Sequence, residues 1–230
     1  MRQFFLPHGV HFCYRGDAAI FLDLRRDEYT LLAGENAAKW RALADPENLL
    51  NSDGNWRRDF LIQLGAKGLV TQDGAAGKAL MPTEVETATD SLIEREADGP
   101  LGINARHIAT FFRACATAAI LLRWCPIEHT VARIERRKAQ PLGFRIANPS
   151  TTIELTNVFL RLRSFFPRDY LCLYDSLALL EFLASYRTYP NWVFGVMLEP
   201  WAAHCWVQQG ALMLNEELEV ASTYTPVMAV

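Results

Sequence analysis

A chain of 230 residues, half of them hydrophobic and about a fifth charged, holds enough apolar material for one large domain or two small ones, which excludes wholesale disorder. With 23 Lys and Arg against 26 Asp and Glu the formal charge is -3, which disfavours a globally basic nucleic-acid binder. The five cysteines (Cys13, Cys115, Cys125, Cys172 and Cys205) are odd in number and contain no CxxC, so neither a disulfide framework nor a metal-binding pattern is expected. Free thiols in a reducing compartment are the expectation.

The opening MRQFFLPHGVHF lacks the apolar run and small-residue cleavage site of a signal peptide, and the chain is expected to be cytoplasmic. Two apolar stretches, Ala18 to Leu24 and Tyr29 to Leu32, flank the turn-like Arg25-Arg26-Asp27 and predict a hairpin. A helix is expected over Asn36 to Leu43. A second runs over Trp56 to Leu64, where Phe60, Leu61 and Leu64 share a face; Gly65 and Gly68 stop it. Leu69-Val70-Thr71 reads as a short returning strand. The stretch that follows is rich in Gly, Ala, Thr and acid, with six acidic residues against one basic between Glu84 and Asp98. It reads as a solvated linker, so the expected division is 1–80, an acidic linker 81–100, and 101–230.

The third zone opens with the apolar run Ile108 to Leu122, about 15 residues long, interrupted by Arg113 and short of the roughly 20 a membrane span needs. It is expected to be a buried or amphipathic helix, not a transmembrane segment. A basic helical block follows, including Arg133, Arg136, Arg137 and Lys138. Most such runs are solvated faces, and contact with phosphates is the alternative. No P-loop or GxGxxG accompanies it. Helices over Thr151 to Phe165 and from near Cys172 come next, then strands at 193–198, 204–209 and 211–215. Helices followed by an antiparallel sheet predict an α+β fold.

Cys172 falls at the start of a helix whose stripe is Leu173, Leu177, Leu180 and Phe182-Leu183. A thiol there is either a nucleophile activated by the helix N-terminus or an inert buried cysteine. His204 lies on a strand that turns at Gln209-Gly210, either as a base or as a structural histidine. On the next strand Asn215, Glu216 and Glu217 can orient its ring. Alternation favours Glu216 and puts Asn215 on the other face. The same alternation turns Cys205 away from His204, so Cys205 is expected to be dispensable. Nucleophile, base and acid in this order suit thiol-dependent acyl transfer.

The elements CLYDSLALLEFL, VFGVMLEP and AAHCWVQQGALMLNE resemble the B proteins of lasso-peptide biosynthesis, leader peptidases with a transglutaminase-like, papain-related fold. Ala203-His204-x-Trp206-Val207 is the most specific piece. Where the family usually has Asp, this chain has Glu216. LDLRRDEYTLL, a following helix with a Trp, and GLVT resemble the small winged-helix-like PqqD-like domain that captures precursor leaders as an added strand. The resemblance implies catalysis by Cys172, His204 and Glu216, and leader binding by Tyr29, Leu31, Phe60 and Leu64, although most of these apolar residues also suit a small core. It implies hydrolysis of a leader–core bond, with the precursor peptide and an asparagine-synthetase-like macrocyclase as partners. It further implies dependence on ATP, with no site located by the sequence, and no metal. Two rivals stay open: another thiol-dependent acyl transfer in which an amine resolves the thioester, and a non-catalytic leader-binding scaffold.

Overall fold

The computed structural model describes residues 4–45, 55–95, 102–139, 149–167 and 169–230. They divide into two units, Met1–Glu84 with Thr225–Met228 and Val85–Tyr224 with Ala229–Val230.

In the first unit the short strand β1 (Leu6–Pro7) precedes β2 (Val10–Arg15), β3 (Ala18–Asp23) and β4 (Glu28–Leu32), which form an antiparallel sheet in that order with Phe12 opposite Phe21 and Phe21 opposite Thr30. The expected hairpin is β3–β4. Its turn passes through Asp27 at φ +53°, and the buried Asp23 carboxylate accepts the backbone N–H of Arg25 at 3.0 Å. Among the described residues β4 pairs with β3 alone, so its outer edge is open within the sheet. Helices α1 (Gly34–Ala44) and α2 (Asn55–Ala66) cover the core. Trp40 packs edge-on against Phe12 and Phe21, ring centroids 5.2 and 5.0 Å away. Phe60, Leu61 and Leu64 join them at helical spacing, facing inward.

Gly68, at φ +73°, ends α2 with Leu69 N–H bonded to Leu64 C=O at 3.0 Å, a glycine C-terminal cap. The strand expected at 69–71 is reduced to a single bridge between Thr71 and Phe5, because Leu69 and Val70 turn into the core. β5 (Gly77–Lys78) pairs with β1.

The second unit begins inside the acidic stretch, and this corrects the linker expectation. Residues 90–91 form β6 (Asp90–Ser91). Ser91 and Leu92 are buried, while Val85 and Ala88 pack on the core between outward-facing acids. Residues 96–100 of that stretch lie outside the described residues.

Helices α3 (Ala105–Trp124), α4 (Ile127–Lys138), α5 (Pro149–Arg163) and α6 (Cys172–Ala184) follow. Then come β7 (Asn191–Met197), β8 (Ala202–Gln209), β9 (Leu212–Met213), α7 (Leu218–Ser222) and β10 (Thr225–Ala229). Within the second unit the sheet order is β7-β8-β9-β6, with β6 parallel to β9 and β7 antiparallel to β8. The arrangement is α+β.

The apolar run of the third zone is a 20-residue helix, longer than expected and by length and composition able to cross a membrane. Its inner face packs Phe111 on Phe159, centroids 5.4 Å apart, and Cys115 C=O accepts the Tyr174 hydroxyl at 3.1 Å. Ile108, Phe112, Ile120 and Trp124 on the same helix are exposed.

α6 is buried along Tyr174 to Leu183, the pattern of a central helix with neighbours all round. Its first turn approaches the surface, and a buried ion pair fixes that turn. Arg163, 1 % exposed, closes onto the Asp175 carboxylate. Its remaining guanidinium hydrogens reach the carbonyls of Phe166 at 3.3 Å and Asp169 at 3.0 Å, and it stacks on the Tyr170 ring 4.2 Å from the centroid. Asp175 also accepts the backbone N–H of Leu171 at 2.7 Å, the residue preceding the helix. Arg163→Ala leaves Asp175 buried without its cation, so chemical denaturation should show the second unit destabilised by about 3–5 kcal/mol.

Candidate active site

Cys172 is the first residue of α6, half-buried, where unpaired backbone N–H groups and the positive end of the helix dipole favour an anion. β8 runs beside it. β9 pairs with β8 only at Gln208 and Gln209, and the Asn215 side-chain oxygen caps Val207 N–H at 2.7 Å, so the stretch of β8 carrying His204 and Cys205 has no β9 partner. The Cys172 sulfur hydrogen-bonds there with the Cys205 thiol, the His204 ring and the backbone N–H of Cys205.

His204 sits opposite Gly195 of β7. Its ring lies beside Tyr224 at 5.1 Å and Trp206 at 6.2 Å between centroids. A methyl group at Gly195 would stand 2.8 Å from Tyr224 Cβ and 2.9 Å from the Trp206 ring, so the strand needs a glycine at that position. His204 Nε2 bonds Glu216 Oε2 at 2.5 Å, which leaves Nδ1 as the ring nitrogen for the thiol. Glu216 Oε1 accepts the backbone N–H of Glu217 at 3.0 Å, and its carbonyl accepts the buried Ser91 hydroxyl at 2.6 Å. Asn215, the competitor for this role, is occupied by Val207.

The electrostatics make the three groups an ion system. Hydrogen bonds from Cys205 and then His204, against the opposing effect of burial, bring the Cys172 thiol down to about 4. Bonds to Cys172 and Glu216 raise His204 to about 9. Burial opposes charge on Glu216, yet its bonds to His204 and Glu217 hold the carboxyl below its ordinary value. Between these values the arrangement is a thiolate–imidazolium pair backed by a carboxylate, equipped to attack an acyl carbon and protonate a leaving group.

The other expected site residues are placed differently. Tyr29 and Leu31 lie on β4, with Leu31 half-exposed, whereas Phe60 and Leu64 are 6 % and 2 % exposed inside the core of the first unit. Phe60 and Leu64 are therefore corrected from ligand contacts to core residues: their spacing on α2 points them at Trp40, not at solvent. Cys205 does leave β8 on the face away from the His204 side chain, but that face carries α6, so its thiol meets Cys172. Arg163, Asp175 and Gly195 escaped the sequence reading. A glycine within a strand was the only local signal for any of them.

The basic block does not fit a phosphate cradle. Arg137 makes bonds of 2.7 and 3.0 Å to the buried Glu181 carboxylate, and Arg133 pairs with the same group. Arg136 bonds its own helix at Ala132 C=O. Lys138 bonds Asn191 at 2.8 Å, and burial lowers it to about 8. Among the described residues no group of three or more His, Cys, Asp or Glu converges as a metal site.

Alkylation of Cys172 by iodoacetamide measures the thiolate directly. The rate should be flat from about pH 5 to 8, because the thiol is already ionised there, and should fall as pH drops through about 4. An unactivated cysteine would instead gain rate tenfold per unit up to about pH 8.5.

Residues 114–229, which hold all three groups, match the family model described as transglutaminase-like superfamily. No curated protein and no solved structure matches the chain. That superfamily consists generally of cysteine-dependent enzymes. With half of its length matched and a cysteine, a histidine and a carboxylate in contact, the chain belongs to the transglutaminase-like superfamily.

Proposed function

We propose that the chain is the leader peptidase of a lasso-peptide maturation system, hydrolysing the bond between leader and core of a precursor peptide. The observation that carries this reading is the hydrogen-bonded line Cys172–His204–Glu216 in a transglutaminase-like domain. The Cys172 thiolate attacks the carbonyl of the last leader residue and forms a C–S bond. As the C–N bond breaks, the His204 imidazolium gives its proton to the departing core amine. Neutral His204 then takes a proton from water, which attacks the thioester and releases the leader carboxylate. Glu216 holds the ring with Nδ1 toward the sulfur and steadies the imidazolium. The freed core amine is the group a separate asparagine-synthetase-like macrocyclase would consume.

The first unit serves in this reading as the PqqD-like, winged-helix-like leader-recognition module. Support comes from the open edge of β4: an extended leader adds there as a strand, its main chain bonding β4 and its side chains meeting Tyr29 and the half-exposed Leu31. The superfamily assignment also accommodates resolution of the thioester by an amine. Mass analysis of the products, a free leader acid against an amine adduct, separates the two.

Full-length protein and tagged precursor supply the test. Cys172→Ala should abolish cleavage while leader affinity survives. Glu216→Ala should lower turnover by roughly two orders of magnitude, and Glu216→Asp should keep part of it. Leu31→Glu should weaken leader binding about tenfold without slowing alkylation of Cys172. Undiminished cleavage by Cys172→Ala would overturn the reading.

A further inference from the structure

Cys205 follows His204 on β8, so its side chain leaves the opposite face of the strand, against α6. It is 3 % exposed there, with Sγ 3.4 Å from Ser176 Oγ and in hydrogen-bonding contact with the Cys172 sulfur. Ser176 stands one turn beyond Cys172 on α6 and is completely buried. Its hydroxyl lies 2.6 Å from the Cys172 carbonyl and accepts the Trp192 indole N–H at 2.8 Å. An indole N–H can only donate, so Trp192 fixes the Ser176 oxygen as an acceptor and holds it in place. Ser176 in turn ties the Cys172 backbone to the Cys205 side chain.

We propose that Cys205, seated by the Trp192–Ser176 pair, is a positioning residue that donates its S–H to the Cys172 sulfur and stabilises the nucleophile as an anion. The proposal rests on the reading of Cys172 as the nucleophile. Two acceptors compete for the single Cys205 proton, the neutral Ser176 hydroxyl and the Cys172 sulfur. Once Cys172 is a thiolate the charge-assisted bond is the stronger. The bond to Cys172, and then burial, keep Cys205 protonated far above its ordinary range, so it remains a donor throughout. The other groups facing Cys172 are His204, backed by Glu216, and the backbone N–H of Cys205. Behind it on α6 and α5 the Asp175 and Arg163 charges are closed on each other.

The experiment uses the full chain with Cys205→Ala and Cys205→Ser, and follows iodoacetamide modification of Cys172 against pH by peptide mass mapping. No peptide substrate enters, so the result is independent of whether leader cleavage is the reaction. Loss of the donor in Cys205→Ala should raise the midpoint of the Cys172 profile by about one pH unit or more. Cys205→Ser keeps a donor and should recover at least half of that shift, a rescue that a purely space-filling role does not give. Cys205→Val fills the site without a donor and should behave as Ala does, which covers loss of packing in the smaller variant. An unchanged midpoint in folded Cys205→Ala or Cys205→Val would overturn the proposal, as would a shift of equal size in all three variants.

Discussion

The buried ion pair between Arg163 and Asp175 is the constraint on which the site depends. Burying two charges is expensive unless every remaining donor and lone pair finds a partner. Here Arg163 spreads its guanidinium over Asp175 and the carbonyls of Phe166 and Asp169, and Asp175 takes Leu171 N–H with its second oxygen. The pair thereby pins the chain on both sides of one backbone step, the entry into α6. Cys172 is the residue at that step. Its position is set by groups that carry no reaction chemistry, and a central helix buried from Tyr174 to Leu183 gives it nowhere to drift.

β8 supplies the rest of the site because it presents two faces to one sulfur. Consecutive strand residues point in opposite directions. His204 takes one face, with Tyr224 and Trp206, and Cys205 the other, against α6. Cys172 meets both because β9 stops pairing at Gln208 and leaves the earlier part of β8 without a partner on that side. Two residues after β9 comes Asn215, which caps Val207, and then Glu216, which faces His204. The longer glutamate side chain is accommodated by bending back on itself: one carboxylate oxygen takes the N–H of the next residue while the other reaches the ring. A buried serine from β6 holds its carbonyl.

The groups with chemical signatures were legible in the sequence, and the groups that place them were not. A cysteine at the head of an apolar helical stripe, a histidine on an alternating strand and an acid across a Gln-Gly turn are local patterns, so Cys172, His204 and Glu216 could be named from spacing. Alternation also placed Cys205 on the correct face. It did not show what that face packs against, since the docking of α6 on β8 is a long-range fact. Arg163 sat unmarked among the basic residues of α5. Acidic composition suggested a solvated linker, but the apolar minority of Val85, Ala88 and Leu92 decides the matter and folds that stretch onto the sheet. Phe60 and Leu64 failed as ligand contacts for the opposite reason. In a unit this small, apolar residues at helical spacing are needed for the core before any remain for a partner.

In the proposed function the two units would divide the work, an open strand edge for capture and a polarised thiol for chemistry. The most direct measurement of the account is the intact mass of the full chain, acid-quenched within the first turnover after mixing with precursor peptide. Covalent catalysis predicts a transient species heavier by the leader acyl group, with peptide mapping placing the adduct on Cys172 and with no such species in Cys172→Ala. An adduct on another cysteine, or cleavage that proceeds with no covalent species and persists in Cys172→Ala, would contradict it.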